Sequence, residues 1–224
     1  MQLALESRAL KAQVLARVVP PGASSPAARG PLPLLLVHDG AEYARRAGLL
    51  RLLGRLRPLR AALVEPVVRE EHYAASATYS RALATELLPT LDAGGPRIGL
   101  GASLGALALL HAHRMRPDSF DGLFLQSGSF FRRATDAQER RFGRFRRIDR
   151  FVATVLADPP ARRIPVTVTC GVAEENLENN RAVAAALERQ GYDVRLVEHP
   201  GGHDWPAWRR VLDSHLEELL CRVT

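Results

Sequence analysis

The sequence is poor in cysteine and in long apolar runs, and each shortage argues against a class of protein. Its two cysteines, Cys170 and Cys221, make neither a disulfide framework nor a metal-binding spacing, so we expect buried free thiols. No run of about 18 or more apolar residues occurs, which argues against a membrane span. The N-terminal residues lack the order of charged, apolar and small residues that marks a secretory signal. We therefore expect a cytoplasmic protein with no membrane partner.

Lysine is also scarce, because Lys11 is the only one and every other strongly basic residue is arginine. The formal net charge is nevertheless +7. A composition that favours arginine explains this excess, and attraction of anionic substrates is the alternative. We favour the first explanation and predict no nucleic-acid partner.

Apolar strand-like segments alternate with helix-like segments along the 224 residues. This alternation predicts one α/β domain with a mostly parallel central sheet flanked by helices on both faces. We predict a loop at 23–30. We predict an edge strand at 9–19, a central strand at 32–37, and further strands at 61–64, 97–100, 122–126, 165–170 and 194–198. Helices are predicted at 44–56, 78–91, 104–115, 137–156, 178–190 and 206–221.

The segment 101–105 reads Gly-Ala-Ser-Leu-Gly and falls between a predicted strand and a predicted helix. That context is the one required by the nucleophile elbow of α/β-hydrolases, where a serine sits on a sharp turn among small neighbours. Such a motif also arises by chance in glycine-rich turns, so its partners decide the interpretation. With them, the motif predicts an α/β-hydrolase fold with Ser103 as nucleophile.

A serine nucleophile needs a histidine base and a carboxylate that orients it, in the order serine, acid, histidine. His203 fits the base best among the seven histidines, because it lies in a glycine-rich loop between the last strand and the last helix. Glu174 and Glu175 both follow the strand that ends near Cys170. We prefer Glu174 for its spacing from Gly171.

Two backbone N–H groups should stabilise the oxyanion of the transition state. One comes from the residue after the nucleophile, Leu104. The other comes from the turn after the strand at 32–37, where Gly40 allows a bend that points the amide of Ala41 into the site, with Gly40 itself as the less favoured alternative.

With these residues in view, the sequence resembles the putative esterase family of α/β-hydrolases, and most closely its enterochelin-esterase-like branch. The resemblance extends from about residue 32 to the end. It rests on 34–40 with Tyr43, Arg69 with Tyr73, 86–89, 101–105, 126–129, 171–174 with Asn180, and 201–205 with Trp208.

The resemblance implies ester hydrolysis through an acyl-enzyme, with Ser103, Glu174 and His203 as the triad. It also implies substrate contacts at Asp39, Gly40, Arg69 and Trp205, although a helix-capping role suits Arg69 equally well. The iron-uptake members of this branch usually carry an additional N-terminal domain that helps to hold the siderophore. This chain has room only for the catalytic domain, so a siderophore substrate is not expected.

Eight arginines crowd the segment 132–150, inside a basic helical stretch around 130–158 where related hydrolases insert a lid. Two interpretations fit: a surface that attracts an anionic acyl or leaving group, or a solvated helix packed on its phenylalanines. We favour the second.

The resulting hypothesis is a serine carboxylesterase that cleaves a small-molecule ester or thioester, either neutral or anionic. Two alternatives remain: an acyltransferase that uses the same triad, and a non-catalytic binding protein on a hydrolase scaffold. No metal or organic cofactor is indicated, because zinc, P-loop and dinucleotide spacings are absent from the sequence.

Overall fold

An eight-stranded sheet runs through the computed structural model, which describes residues 1–21, 31–91 and 94–223. Its strands are β1 Gln2–Ser7, β2 Ala12–Val19, β3 Leu32–His38, β4 Arg60–Glu65, β5 Gly94–Ala102, β6 Gly122–Gln126, β7 Pro165–Gly171 and β8 Asp193–His199. The spatial order is β1-β2-β4-β3-β5-β6-β7-β8. Strands β3 to β8 pair with one another in parallel, while β2 is antiparallel to both β1 and β4.

Helices cover both faces of this sheet. They are α1 Gly40–Arg46, α2 Leu49–Leu53, α3 Arg69–Tyr73, α4 Ala77–Ala82, α5 Leu88–Leu91, α6 Leu104–Met115, α7 Phe145–Ala157, α8 Leu177–Arg189 and α9 Trp205–Val223. A π-helical turn at Leu83–Leu87 joins α4 to α5, and 3₁₀ turns occur at Pro117–Ser119 and Gln138–Arg141. In the described ranges, no helix combines the length and the apolar character needed to cross a membrane.

Strand β3 explains why the sheet has two dry faces. Successive side chains of a strand point to opposite faces, and its central residues are all fully buried. Leu34 and Leu36 belong to the core cluster that includes residues of α6 and α8. Leu35 and Val37 belong to the second cluster, which includes residues of α1, α2 and α9. The predicted α/β fold with helices on both faces is therefore confirmed.

Helix α6 and strand β6 begin and end where the sequence predicts, but four predicted segments differ in continuity or position. The predicted helix at 78–91 consists of α4, the π-helical turn and α5 in succession. The predicted helix at 44–56 is interrupted at Gly48, whose φ of 68° lies in the left-handed region. The basic segment at 137–156 divides into the 3₁₀ turn Gln138–Arg141 and α7, separated by residues 142–144. The predicted edge strand at 9–19 begins at Ala12 and lies inside the sheet, because β1 pairs with its outer side.

Two further predictions concern the thiols and a loop. Cys170 is buried as expected, whereas Cys221 is exposed on the last helix, which corrects that part of the prediction. The loop predicted at 23–30 lies outside the described residues.

The parallel arrangement decides where functional side chains gather. The carboxyl ends of β3, β5, β6, β7 and β8 meet at one edge of the sheet, so the loops that leave them are neighbours there. These are the loops that carry Ser103, Glu174, His203 and the turn after β3.

Candidate active site

Ser103 occupies a strained turn between β5 and α6. Its φ of 56° and ψ of −123° lie in a region that side chains rarely adopt. The turn is tight, because a Cβ on Gly101 would lie 2.7 Å from the carbonyl carbon of Gly105. The Ser103 amide donates to the Gln126 carbonyl at 2.9 Å, which ties the turn to the end of β6. A strained strand–turn–helix geometry of this kind is what a nucleophile elbow requires.

His203 and Glu174 are directly hydrogen-bonded. The distance from His203 Nδ1 to Glu174 Oε2 is 2.7 Å. Because Nδ1 is used in this way, Nε2 is the nitrogen left to accept a proton. The His203 ring also stands edge-on to Trp208, with 5.0 Å between ring centroids.

The Glu174 carboxylate is buried, and its second oxygen is fully engaged. Oε1 accepts hydrogen bonds from the hydroxyl of Ser127 at 2.6 Å and from the amide of Gly171 at 2.7 Å. Burial alone would raise the pKa of Glu174, but the hydrogen bonds from His203, Ser127 and Gly171 bring the pKa below its usual range. The carboxylate therefore stays ionised at neutral pH beside the histidine.

The neighbouring carboxylate has a different environment. Glu175 is exposed, and its Oε2 accepts a hydrogen bond from Nε2 of Gln138 at 3.4 Å. The structure thus joins Glu174 to His203 and leaves Glu175 in solvent.

Ser103, Glu174 and His203 line one cleft of about 410 Å³. The other lining residues are Ser129, Phe131, Asp136, Gln138, Glu139, Ala173, Glu175 and Asn176. In this resting arrangement, Oγ of Ser103 is hydrogen-bonded to Oγ of Ser129 at 3.0 Å. Hydrogen bonds between nucleophile and base are often long in ligand-free enzymes and tighten with substrate.

Sequence reasoning gave no role to the turn Ser127–Gly128–Ser129 or to Trp208. The Ser127 hydroxyl accepts a hydrogen bond from Trp208 Nε1 at 2.8 Å while it donates to Glu174. The signal was present in the sequence, because this turn follows the predicted strand at 122–126, and the strand before that one leads to Ser103.

The predicted oxyanion donors differ in their surroundings. Leu104 is the first residue of α6, where an amide has no intrahelical partner. The Ala41 amide instead donates to Oε1 of Glu65 at 2.5 Å, and Ala41 lines a separate cavity of about 570 Å³. Asp39 has left-handed backbone angles, and α1 begins at the next residue, Gly40. The Ala41 amide therefore points toward Glu65 at the end of β4. Gly40, the alternative donor, occupies the first position of α1.

Asp39 and Arg69 bind each other rather than facing the cleft as free groups. Nε and Nη2 of Arg69 donate to the two carboxylate oxygens of Asp39 at 2.9 and 2.8 Å. A Cβ on Gly105 would lie 3.4 Å from Asp39 Oδ2, so the pair stands against the start of α6. Trp205 packs edge-on against Tyr43 and is not among the residues that line the cleft.

His38 has a structural environment at the end of β3. It is completely buried, and burial lowers its pKa to about 4. Since the ring is neutral, Nδ1–H donates to the Gly105 carbonyl at 3.0 Å, and Nε2 accepts from the Tyr79 hydroxyl at 2.8 Å. The first bond ties the end of β3 to the start of α6, and the second ties it to α4.

The arginine-rich segment has an apolar side packed on the domain and a side that carries charged residues. Phe145 and Ile148 of α7 are buried, as expected for a helix packed on the domain. On its outer side, a cavity of about 720 Å³ is lined by Phe145, Asp149 and four arginines: Arg133, Arg140, Arg146 and Arg150. Asp149 accepts from the backbone and side chain of Arg133.

No potential metal site built from three or more His, Cys, Asp or Glu side chains occurs among residues 1–21, 31–91 and 94–223.

Comparison with known proteins gives one family and many structures. The family model described as putative esterase matches residues 7–219. No curated protein matches the sequence. A crystal structure of the enterobactin esterase FES from Shigella flexneri, in the presence of enterobactin, is similar with a TM-score of 0.82 and 20% identity. The match covers 100% of this chain but 59% of that protein, so this chain spans less than two thirds of its length.

Two structures from Staphylococcus aureus match over nearly their whole length. The S-formylglutathione hydrolase FrmB has a TM-score of 0.72, and the fluorophosphonate-binding serine hydrolase FphF has a TM-score of 0.70. Each is 17% identical, and each match covers 100% of this chain and 98% of the other. At such identities, these likenesses establish the fold.

Proposed function

The chain belongs to the putative esterase family, and from that premise we propose that it cleaves esters through an acyl-enzyme formed on Ser103. The observation that carries the proposal is the hydrogen bond of 2.7 Å between His203 and a buried, ionised Glu174, in the same cleft as a serine on a strained elbow. Nucleophilic acyl transfer requires a nucleophile, a base that takes its proton and an acid that orients the base, all at one cleft.

In the first half of the reaction, Ser103 Oγ attacks the carbonyl carbon of the ester. The proton of Oγ passes to His203 Nε2, and the carbonyl π electrons move onto oxygen. Glu174 holds the ring through Nδ1 and stabilises the imidazolium that forms. The amide of Leu104 is one oxyanion donor, and the turn after β3 supplies the second. Collapse of the intermediate expels the alcohol, or the thiol of a thioester, which takes its proton from His203.

In the second half, water enters the cleft and attacks the acyl-enzyme. His203 accepts a proton from this water, and the resulting tetrahedral intermediate expels Ser103 Oγ, which regains a proton from His203. The acid product leaves, and the triad returns to its starting state.

The test combines covalent labelling with turnover. We expect a fluorophosphonate probe to label the wild type at Ser103, and short p-nitrophenyl esters to be hydrolysed with a burst of p-nitrophenol. Ser103→Ala should lose both, while Ser119→Ala, which removes a buried hydroxyl with no hydrogen-bond partner among the described residues, should keep both. A wild type that neither reacts with the probe nor hydrolyses esters would refute the proposal.

We further propose that the preferred ester carries an anionic group. The arginine-lined cavity supports this, because its single carboxylate, Asp149, is already engaged by Arg133. The cavity also adjoins the catalytic cleft. Phe131 of the cleft stacks on Phe145 of the arginine cavity with 6.3 Å between ring centroids. An ester held at Ser103 can therefore extend an anionic group across this aromatic wall.

Charge reversal measures that preference. We expect Arg146→Glu/Arg150→Glu to lower kcat/KM about tenfold for a p-nitrophenyl hemisuccinate or hemiglutarate, with little change for the neutral butyrate. Arg189→Glu on α8 is the control, because it reverses an exposed charge that does not line either cavity. Equal losses on neutral and anionic esters would contradict a role in recognising charge.

A further inference from the structure

One short turn touches both ends of the catalytic triad. The turn Ser127–Gly128–Ser129 follows β6, and its first hydroxyl donates to Glu174 while its last hydroxyl contacts the nucleophile. Ser129 also donates its amide to the Ser103 carbonyl at 3.2 Å, so backbone and side chain both connect these two serines.

The turn is held rigidly. Ser127 has a φ of 47°, in the left-handed region that non-glycine residues rarely occupy. Asn180 brackets Gly128 with two hydrogen bonds, accepting from its amide at 2.9 Å and donating to its carbonyl at 3.0 Å. Asn176 donates to the carbonyls of Ser127 and Gly128. A turn with this many buried contacts holds its two hydroxyls in fixed positions.

From this geometry we infer that Ser129 is a catalytic residue, which donates a hydrogen bond to Ser103 Oγ during both acylation and deacylation. The inference rests on the proposed function of Ser103. At 3.0 Å, the two oxygens are in hydrogen-bond contact, and Ser129 is 4% exposed, so water competes little for its hydroxyl.

The direction of this hydrogen bond follows from the proton movements of the reaction. The single proton of Ser103 is the one that His203 Nε2 accepts, so in the reactive arrangement Ser103 Oγ must act as acceptor toward Ser129. Negative charge develops on Oγ as its proton leaves during acylation, and again as the C–O bond to Oγ breaks during deacylation. A hydroxyl donor stabilises that charge at both stages and remains protonated throughout.

Ser129→Ala removes this donor and is the first test. We expect kcat for p-nitrophenyl butyrate to fall about 10- to 100-fold, with KM within about twofold, because the hydrogen bond strengthens as charge develops. Ser129→Thr keeps a hydroxyl and should recover most of the rate. Ser119→Ala, the same change at another buried serine, should leave both constants unchanged.

The outcomes separate this inference from the proposed function. An inactive wild type would overturn both. An active wild type with unchanged kcat in Ser129→Ala would overturn only the role of Ser129, as would equal losses in the Ala and Thr variants accompanied by a raised KM and a lower melting temperature. If Ser129→Ala does not fold, Ser129→Cys, a near-isostere with a weak donor, takes its place and should be slow where Ser129→Thr is not.

Discussion

Replacing Glu174 by glutamine tests the proposed acid of the triad through the proton positions that the structure imposes. Oε1 of Glu174 faces the amide of Gly171, which can only donate, at 2.7 Å. A glutamine must therefore turn its carbonyl oxygen toward Gly171, and its NH₂ group then faces Nδ1 of His203. Two donors cannot share a hydrogen bond, so His203 must carry its proton on Nε2. That is the wrong tautomer for accepting a proton from Ser103.

The expected loss is large, because a histidine locked in the wrong tautomer costs about 10⁴-fold in kcat in a serine protease with this type of triad, or roughly 5.5 kcal/mol in the barrier. The assay is kcat for p-nitrophenyl butyrate at neutral pH, with active sites counted by the burst. Glu175→Gln is the matched control, since it makes the same substitution at an exposed neighbour, and we expect its kcat to stay within about twofold of the wild type. Comparable kcat values for the two variants would refute this reasoning.

Three further predictions concern packing, acid stability and the support of the acid. Gly101→Ala should lower the free energy of unfolding by about 3 kcal/mol in urea titrations, because the new Cβ meets the backbone of Gly105, whereas Gly143→Ala meets nothing within 4 Å and should have little effect. The free energy of unfolding should fall as the pH drops from about 6.5 toward about 4, at up to about 4 kcal/mol per pH unit. Burial lowers the pKa of three histidines to about 4, and these take up protons on unfolding: His38, His111 and His113. Unfolding midpoints that do not change over that interval would contradict it. Ser127→Ala should cost about 2 kcal/mol of stability and about tenfold in kcat, because Glu174 loses a donor and the indole N–H of Trp208 loses its acceptor, and an unchanged indole N–H chemical shift would argue against that linkage.

Much of the fold was predictable because strands of the sheet that are buried on both faces consist of continuous runs of apolar residues, which are visible in the sequence. Strand β3 is mostly leucine and valine, and β6 is buried along its whole length, so neither resembles a strand with one solvent-exposed face. The divided helices were less predictable. Leucines at helical spacing continue across Gly48 in the sequence. Only tertiary packing decides that this glycine adopts a left-handed conformation and separates two helices.

The candidate triad could be predicted because the loops that follow the strands of a parallel sheet lie close together at one edge of that sheet. Residues that follow β5, β7 and β8 meet at one edge, whatever the distances between them in sequence. The choice between Glu174 and Glu175 was harder, since both carboxylates follow the same strand. The difference lies in a single turn of backbone, which buries one beside Ser127 and leaves the other in solvent.

The second oxyanion donor shows the limit of such reasoning. A donor amide must point at a position within about 0.5 Å, and a motif specifies only which loop it lies in. Here the left-handed conformation of Asp39 begins a helix at once, and the Ala41 amide binds Glu65. Burial raises the pKa of that glutamate, although the Ala41 hydrogen bond opposes the rise. If Ala41 is to serve as the donor, it must exchange the Glu65 carboxylate for the substrate oxyanion. If Gly40 serves, α1 can stay as it is, and Glu65 acts as an anchor for the first turn of that helix.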